Sequence, residues 1–115
     1  MTKKRSKPEF YSRFMEKDFF PEANKNIKYH ESHNYWIFKT GQKIYKAKKR
    51  EEAKSTASLE EIFCQETIRR ILNHSPTLQP VIATIKQDQQ SFQLDRNNKI
   101  STPPLYYVII MDQLA

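Results

Sequence analysis

Apolar and polar residues along this chain fall into two rhythms, a period of two in several short stretches and a helical period in two others. The most telling stretch is Tyr35 to Arg50, YWIFKTGQKIYKAKKR. Tyr35, Trp36, Ile37 and Phe38 are β-formers, Thr40, Gly41 and Gln42 supply a turn, and Ile44 to Lys48 resumes alternation, which predicts two antiparallel strands around a tight turn. Gly41 is the only glycine in the chain, and it stands where a turn most often needs a positive φ. On the second strand Ile44, Lys46 and Lys48 share one face, and Tyr45, Ala47 and Lys49 the other. Upstream, Pro8 followed by Phe10, Tyr11, Phe14 and Met15 has helical spacing that ends before Pro21. Ile27, Tyr29 and Glu31 then alternate as a short strand leading into the hairpin.

Beyond the hairpin, residues 51–55 are polar, without an apolar face, and read as a mobile connection. Ser58-Leu59-Glu60-Glu61 matches a capping box, which predicts a helix from Leu59 to about Asn73. On it Leu59, Ile62, Phe63, Glu66, Arg70 and Ile71 fall along one side. Glu66 therefore sits on or beside the apolar stripe, and a carboxylate there needs a cationic or hydrogen-bonding partner. Pro76 and Pro80 bracket a loop. Val81 to Ile85 reads as a strand with Ser91 to Leu94 as its antiparallel partner, and residues 95–99 as a polar turn. Leu105 to Met111, LYYVIIM, is a continuous apolar run of the kind buried on both faces of a sheet.

Composition narrows the class. With 115 residues the chain is one domain or part of one. A hydrophobic content of 37%, 29% charged residues and a mean hydropathy of −0.84 imply a wet surface, and residues 1–8 a frayed basic tail. No run of 18 apolar residues and no secretory signal is present, so a membrane partner is not expected. The single cysteine, Cys64, lies in an apolar helical pattern and reads as a small buried hydrophobe in a reducing compartment, which makes the cytoplasm the expected location. A net charge of +7 favours polyanionic partners, nucleotide phosphate or nucleic acid.

The order strand, hairpin, capped helix, strand, long loop, apolar strand resembles the small lobe of the protein-kinase-like fold. More closely, it is similar to the aminoglycoside phosphotransferase-like family, in the bacterial branch often fused to a P-loop ATP-binding domain. The residues that carry the resemblance are Glu31-Ser32-His33, Trp36-Ile37-Phe38 with Thr40-Gly41, Tyr45-Lys46-Ala47-Lys48-Lys49, and Phe63-Cys64-Gln65-Glu66 with Arg69 and Pro76. They span about Glu31 to Pro76. The resemblance implies an α+β small lobe over residues 9–115: a mainly antiparallel sheet of about five strands, one long helix packed on it and a short N-terminal helix. In such lobes a third-strand lysine holds the ATP phosphates and is positioned by a helix glutamate. Lys46 takes that place, with Lys48 on the same face as the alternative, and Glu66 is the implied partner. The last strand resembles the one entering the hinge, with Met111 at the gatekeeper position and the backbone of Asp112 and Leu114 addressing adenine.

The sequence also departs from the pattern. It contains no G-x-G-x-x-G, no H-x-D catalytic loop and no metal-binding aspartate motif. The base and the Mg²⁺ ligands belong to a large lobe, so the expectation is weak ATP binding and no turnover by this chain alone. Two rival readings stand beside it. Lys39, Lys43, Lys46, Lys48, Lys49 and Arg50, interleaved with Tyr35, Trp36 and Tyr45, have the makings of a platform for single-stranded nucleic acid, although three consecutive large residues at Trp36 to Phe38 cover both faces of their strand. The other is a truncated gene product without activity. His30 and His33 are spaced H-x-x-H but lack further converging ligands for a metal.

Overall fold

The strand Tyr106–Asp112 runs through the interior of a six-stranded sheet, and among the described residues an α-helix lies against each face of that sheet. The computed structural model describes residues 7–16, 19–22, 27–49, 57–88, 91–96 and 105–113. In chain order the elements are α1 (Tyr11–Phe14), β1 (Lys28–Glu31), β2 (Tyr35–Lys39), β3 (Lys43–Lys48), α2 (Ala57–His74), β4 (Val81–Asp88), β5 (Ser91–Asp95) and β6 (Tyr106–Asp112). The sheet order is β1-β2-β3-β6-β4-β5, and every neighbouring pair is antiparallel. The architecture is thus α+β, with six strands where the resemblance implies about five, and Ser91–Asp95 forms the edge strand along β4 that the alternation predicts. Among the described residues no helix is long and apolar enough to cross a membrane.

Local chemistry accounts for the turns. Thr40 Oγ1 accepts from the backbone N–H of Lys43 at 3.0 Å and of Gln42 at 3.3 Å, while Gly41 adopts φ +96° in between. Only glycine reaches that φ cheaply. At the β1–β2 turn Ser32 Oγ accepts from Tyr35 N at 3.1 Å. The far end of β6 is tied to the β2–β3 turn by Gln113 N donating to Gln42 O at 2.8 Å.

Strand parity divides the core in two. Phe38, Tyr45, Ala47, Val108, Ile110, Ala83 and Ile85 face one side and are sealed by Phe10, Phe14 and Phe20 from the α1 region. Tyr35, Ile37, Tyr107, Ile109 and Met111 face the other side, together with Cys64 of α2. β6 is buried on both faces, as its unbroken apolar run requires.

Helix α2 differs from its predicted form in two respects. It begins at Ala57, so Ser58 lies inside the helix instead of in front of it. Its sheet-facing residues are Glu60, Cys64, Ile68 and Ile71, whereas Leu59, Ile62 and Phe63 are exposed. At 3.6 residues per turn this face is rotated by about a third of a turn from the predicted stripe. The Ser58 side chain, the basic tail at 1–6, the connection at 51–56 and Leu114 lie outside the described residues.

Candidate functional site

Residues directly opposite in an antiparallel ladder share a face. The register pairs Lys28 with Lys39, His30 with Ile37, Ile37 with Lys46, and Tyr35 with Lys48. All of these lie on the α2 side of the sheet, along with Ile44. Helix α2 itself packs on β6 and β4. The β1–β2–β3 half of the same face carries lysines, a histidine and an apolar floor, and no carboxylate projects from its strands.

At the edge of this half-face the strand and the helix are joined by an ion pair. Lys48 Nζ lies 3.3 Å from Glu60 Oε2, and each side chain is only 7% exposed. The same ammonium donates to the Lys49 carbonyl at 2.8 Å and sits 4.7 Å from the centre of the Phe63 ring. Two charges buried this far lose their hydration, and the loss is offset only where the remaining donors are also satisfied. Lys48 has the Lys49 carbonyl and the Phe63 ring beside it in addition to the carboxylate, so its ammonium is enclosed by the protein.

Lys46 is in a different state. Its ammonium lies 4.6 Å from the centre of the Tyr35 ring, and no carboxylate meets it among the described residues. Partial burial holds its pKa below the ordinary lysine value, with the nearby charge of Lys39 adding to the effect. A half-buried ammonium without a counter-ion is suited to receive an anion from solution.

The expected contact between Lys46 and Glu66 is not formed. Glu66 points away from the sheet and pairs with Arg69 at 3.3 Å, one helical turn further on, with both side chains largely in water. The rotation of α2 explains this, since the turn that carries Glu60 inward carries Glu66 outward. Met111 is buried opposite Ile44 at the end of β6. Asp112 is held by Lys43 Nζ at 2.8 Å. Glu60 was not singled out by the sequence pattern. Its signal is the spacing Glu60, Cys64, Ile68, Ile71, which reads as a core stripe only if a glutamate is admitted to it.

Of the proposed base-stacking rings, Tyr45 is fully buried and Tyr35 nearly so. Tyr45 Oη donates to Glu22 at 2.6 Å and accepts from Arg96 at 2.9 Å. Lys43 and Lys49 lie on the opposite face from Lys46, each paired with a carboxylate. The cations and aromatics of the hairpin therefore do not form one surface. A polar depression of about 400 Å³ opens at the β1–β2 turn, lined by Glu31, Ser32, His33 and Lys49. Cys64 is buried under α2, and burial, followed by the charge of Glu60, pushes its thiol up to about 12. Among the described residues no three His, Cys, Asp or Glu converge as a metal site.

Comparison with protein families, with curated proteins and with solved structures gives no match for this chain.

Proposed function

We propose that the chain is the nucleotide-binding lobe of a kinase-like phosphotransferase, receiving the phosphates of ATP on the open half of the α2 face. The observation that carries this reading is the buried Lys48–Glu60 pair. It joins the third strand to the first long helix, as a kinase small lobe does, but with the paired lysine enclosed so that phosphate contact would fall to its neighbour on the same face. Placement of β6 between β3 and β4 supports it further, because the last strand then ends beside the β2–β3 turn, where a hinge would leave the lobe.

Within this reading the two lysines divide the work. Lys48 is occupied by Glu60 and anchors α2 to β3, and Lys46, on the same face and without a carboxylate, reaches the phosphates. Met111 closes the floor next to Ile44, and the backbone beyond Asp112 addresses the base. A magnesium ion accompanying the phosphates needs carboxylates from outside this set, since Asp112 and Glu60 are each engaged with a lysine. The H-x-D motif that carries the base for an acceptor hydroxyl in such enzymes does not occur in the sequence. Nucleotide binding without turnover is the expected behaviour.

A titration with a fluorescent ATP analogue tests this, with Lys46→Ala expected to bind about tenfold more weakly, the effect of losing one hydrogen bond to a charged group. Equal binding by the two proteins would remove Lys46 from the site. Tight binding of a single-stranded oligonucleotide that collapses with salt and is not displaced by ATP would move the whole face to the nucleic-acid reading.

A further inference from the structure

Seven described lysines lie on or at the end of the strands, and they sort into two groups. Lys43, Lys48, Lys49 and Lys86 each meet a carboxylate, from Asp112, Glu60, Glu31 and Asp95 respectively. Lys28, Lys39 and Lys46 meet none among the described residues, and these three lie together on the open half of the α2 face. Lys28 and Lys39 stand directly opposite each other, roughly 5 Å apart at their Cβ atoms, and Lys46 is the diagonal neighbour of Lys39 at roughly 7–8 Å. Like charges in directly opposed positions work against the sheet. Protection of an exposed edge explains Lys28, which is on an edge strand, but it does not explain Lys39 and Lys46 on the two strands inside it.

We propose that Lys28 and Lys39 form a second anion subsite which, with Lys46, takes an extended chain of condensed phosphate. The subsite rests on the reading of this face as a phosphate site, but it is built from residues on which the nucleotide reading does not depend. The three lysines are spread across three adjacent strands, so a ligand with several linked phosphates can meet all of them with the side chains extended, whereas a single phosphate requires the like-charged ammonium groups to crowd together. The Lys46 pKa is lowered first by burial and further by the charge of Lys39, which agrees with the two ammonium groups being within each other's field.

The test is calorimetric titration at fixed ionic strength with orthophosphate, inorganic triphosphate and ATP. The wild-type protein should prefer triphosphate to orthophosphate. Lys28→Gln combined with Lys39→Gln should lose that preference by about tenfold, while its affinity for orthophosphate at Lys46 stays the same. Lys43→Gln makes the same change of charge on the opposite face and should keep the preference, and Lys28→Gln alone, at an exposed edge position, tests the subsite with the least risk to folding. An unchanged preference in the double variant, or triphosphate bound no better than orthophosphate by the wild type, would overturn the subsite. ATP bound no more tightly than inorganic triphosphate, with the lysine dependence intact, would retain the subsite and remove the nucleotide reading. ATP bound more tightly than triphosphate, with the lysine dependence intact, would uphold both.

Discussion

The two faces of the sheet solve different problems with the same strands. On the α1 side, rings meet rings. Phe10 alone touches Phe14, Trp36, Phe38, Phe92 and Tyr106, with its centroid 4.7–6.3 Å from theirs in tilted or edge-on geometry. Charges on that side stay at the rim and are matched, as Glu22 and Arg96 are at Tyr45 and Glu31 is at Lys49. On the α2 side a smaller cluster is covered by one helix over β4 and β6, a salt bridge is buried, the Thr84 hydroxyl is enclosed without a hydrogen-bond partner, and three lysines share a half-face. The first arrangement is held by ring packing, although Tyr29 Oη and Trp36 Nε1 are buried in it without a hydrogen-bond partner among the described residues. The second buries an ion pair and gathers three lysines on one half-face, and that difference is why the proposed phosphate site is placed on the α2 side.

If the ring cluster holds the fold, its centre should be the most costly place to cut. Phe38 is fully buried, with five aromatic neighbours in Phe10, Tyr11, Phe14, Phe20 and Tyr29. Phe38→Ala should destabilise by about 4 kcal/mol in urea unfolding, a large share of the roughly 5–15 kcal/mol available to a typical domain. A loss below ~1 kcal/mol, the level of a surface change, would show that the cluster is not where stability resides.

On the other face, Glu60→Leu should cost about 3 kcal/mol by leaving Lys48 charged and unpaired in the interior. Adding Lys48→Met should recover most of that loss, since an apolar pair of similar size needs no counter-ion. No recovery would mean that the pair contributes through something other than mutual neutralisation.

Cys64 reports on the same interface through pH. Its thiol is held protonated up to about 12 in the fold but ionises from about 9 when unfolded, so the folded state binds more protons in that window. Stability should be unaffected by this group below pH 9 and should fall above it by about 1.4 kcal/mol per pH unit. Tyr29, raised to about 12 chiefly by burial, adds to the slope above pH 10. Cys64→Ala should flatten the part that begins near pH 9. An identical slope in the variant would mean that the thiol is not shielded by α2.

The contrast between the faces also explains what could be read from the sequence. Strand parity within YWIFKTGQKIYKAKK was legible because a period of two leaves no third choice, and it places Lys46 and Lys48 on one face as observed. LYYVIIM was legible as a strand buried on both sides. The orientation of α2 was not, for a physical reason. Its inward stripe opens with Glu60, a residue that any hydrophobic pattern counts as polar, while Leu59, Ile62 and Phe63 are apolar and exposed. Lys48 beneath Glu60 supplies the counter-ion that lets this stripe of Glu60, Cys64, Ile68 and Ile71 turn inward, and that is a tertiary fact. Glu66 was selected by the pattern because it follows the exposed apolar residues around the helix.

The smallest expected effect bears most directly on the comparison. Lys39 faces Lys28 across β1 and β2 with no carboxylate from these strands beside it. Lys39→Gln should therefore stabilise the protein, by about 0.2–1 kcal/mol, through the removal of a directly opposed like-charge pair. Because the pair is open to solvent, added salt should stabilise the wild type slightly more than the variant, closing the gap as the screening length shrinks. The same substitution should weaken triphosphate binding, so stability and affinity would move in opposite directions at one position. A variant that is less stable at every salt concentration would mean that Lys39 is held by favourable contacts. The α2 side would then be a second structural face, built by the same logic as the first.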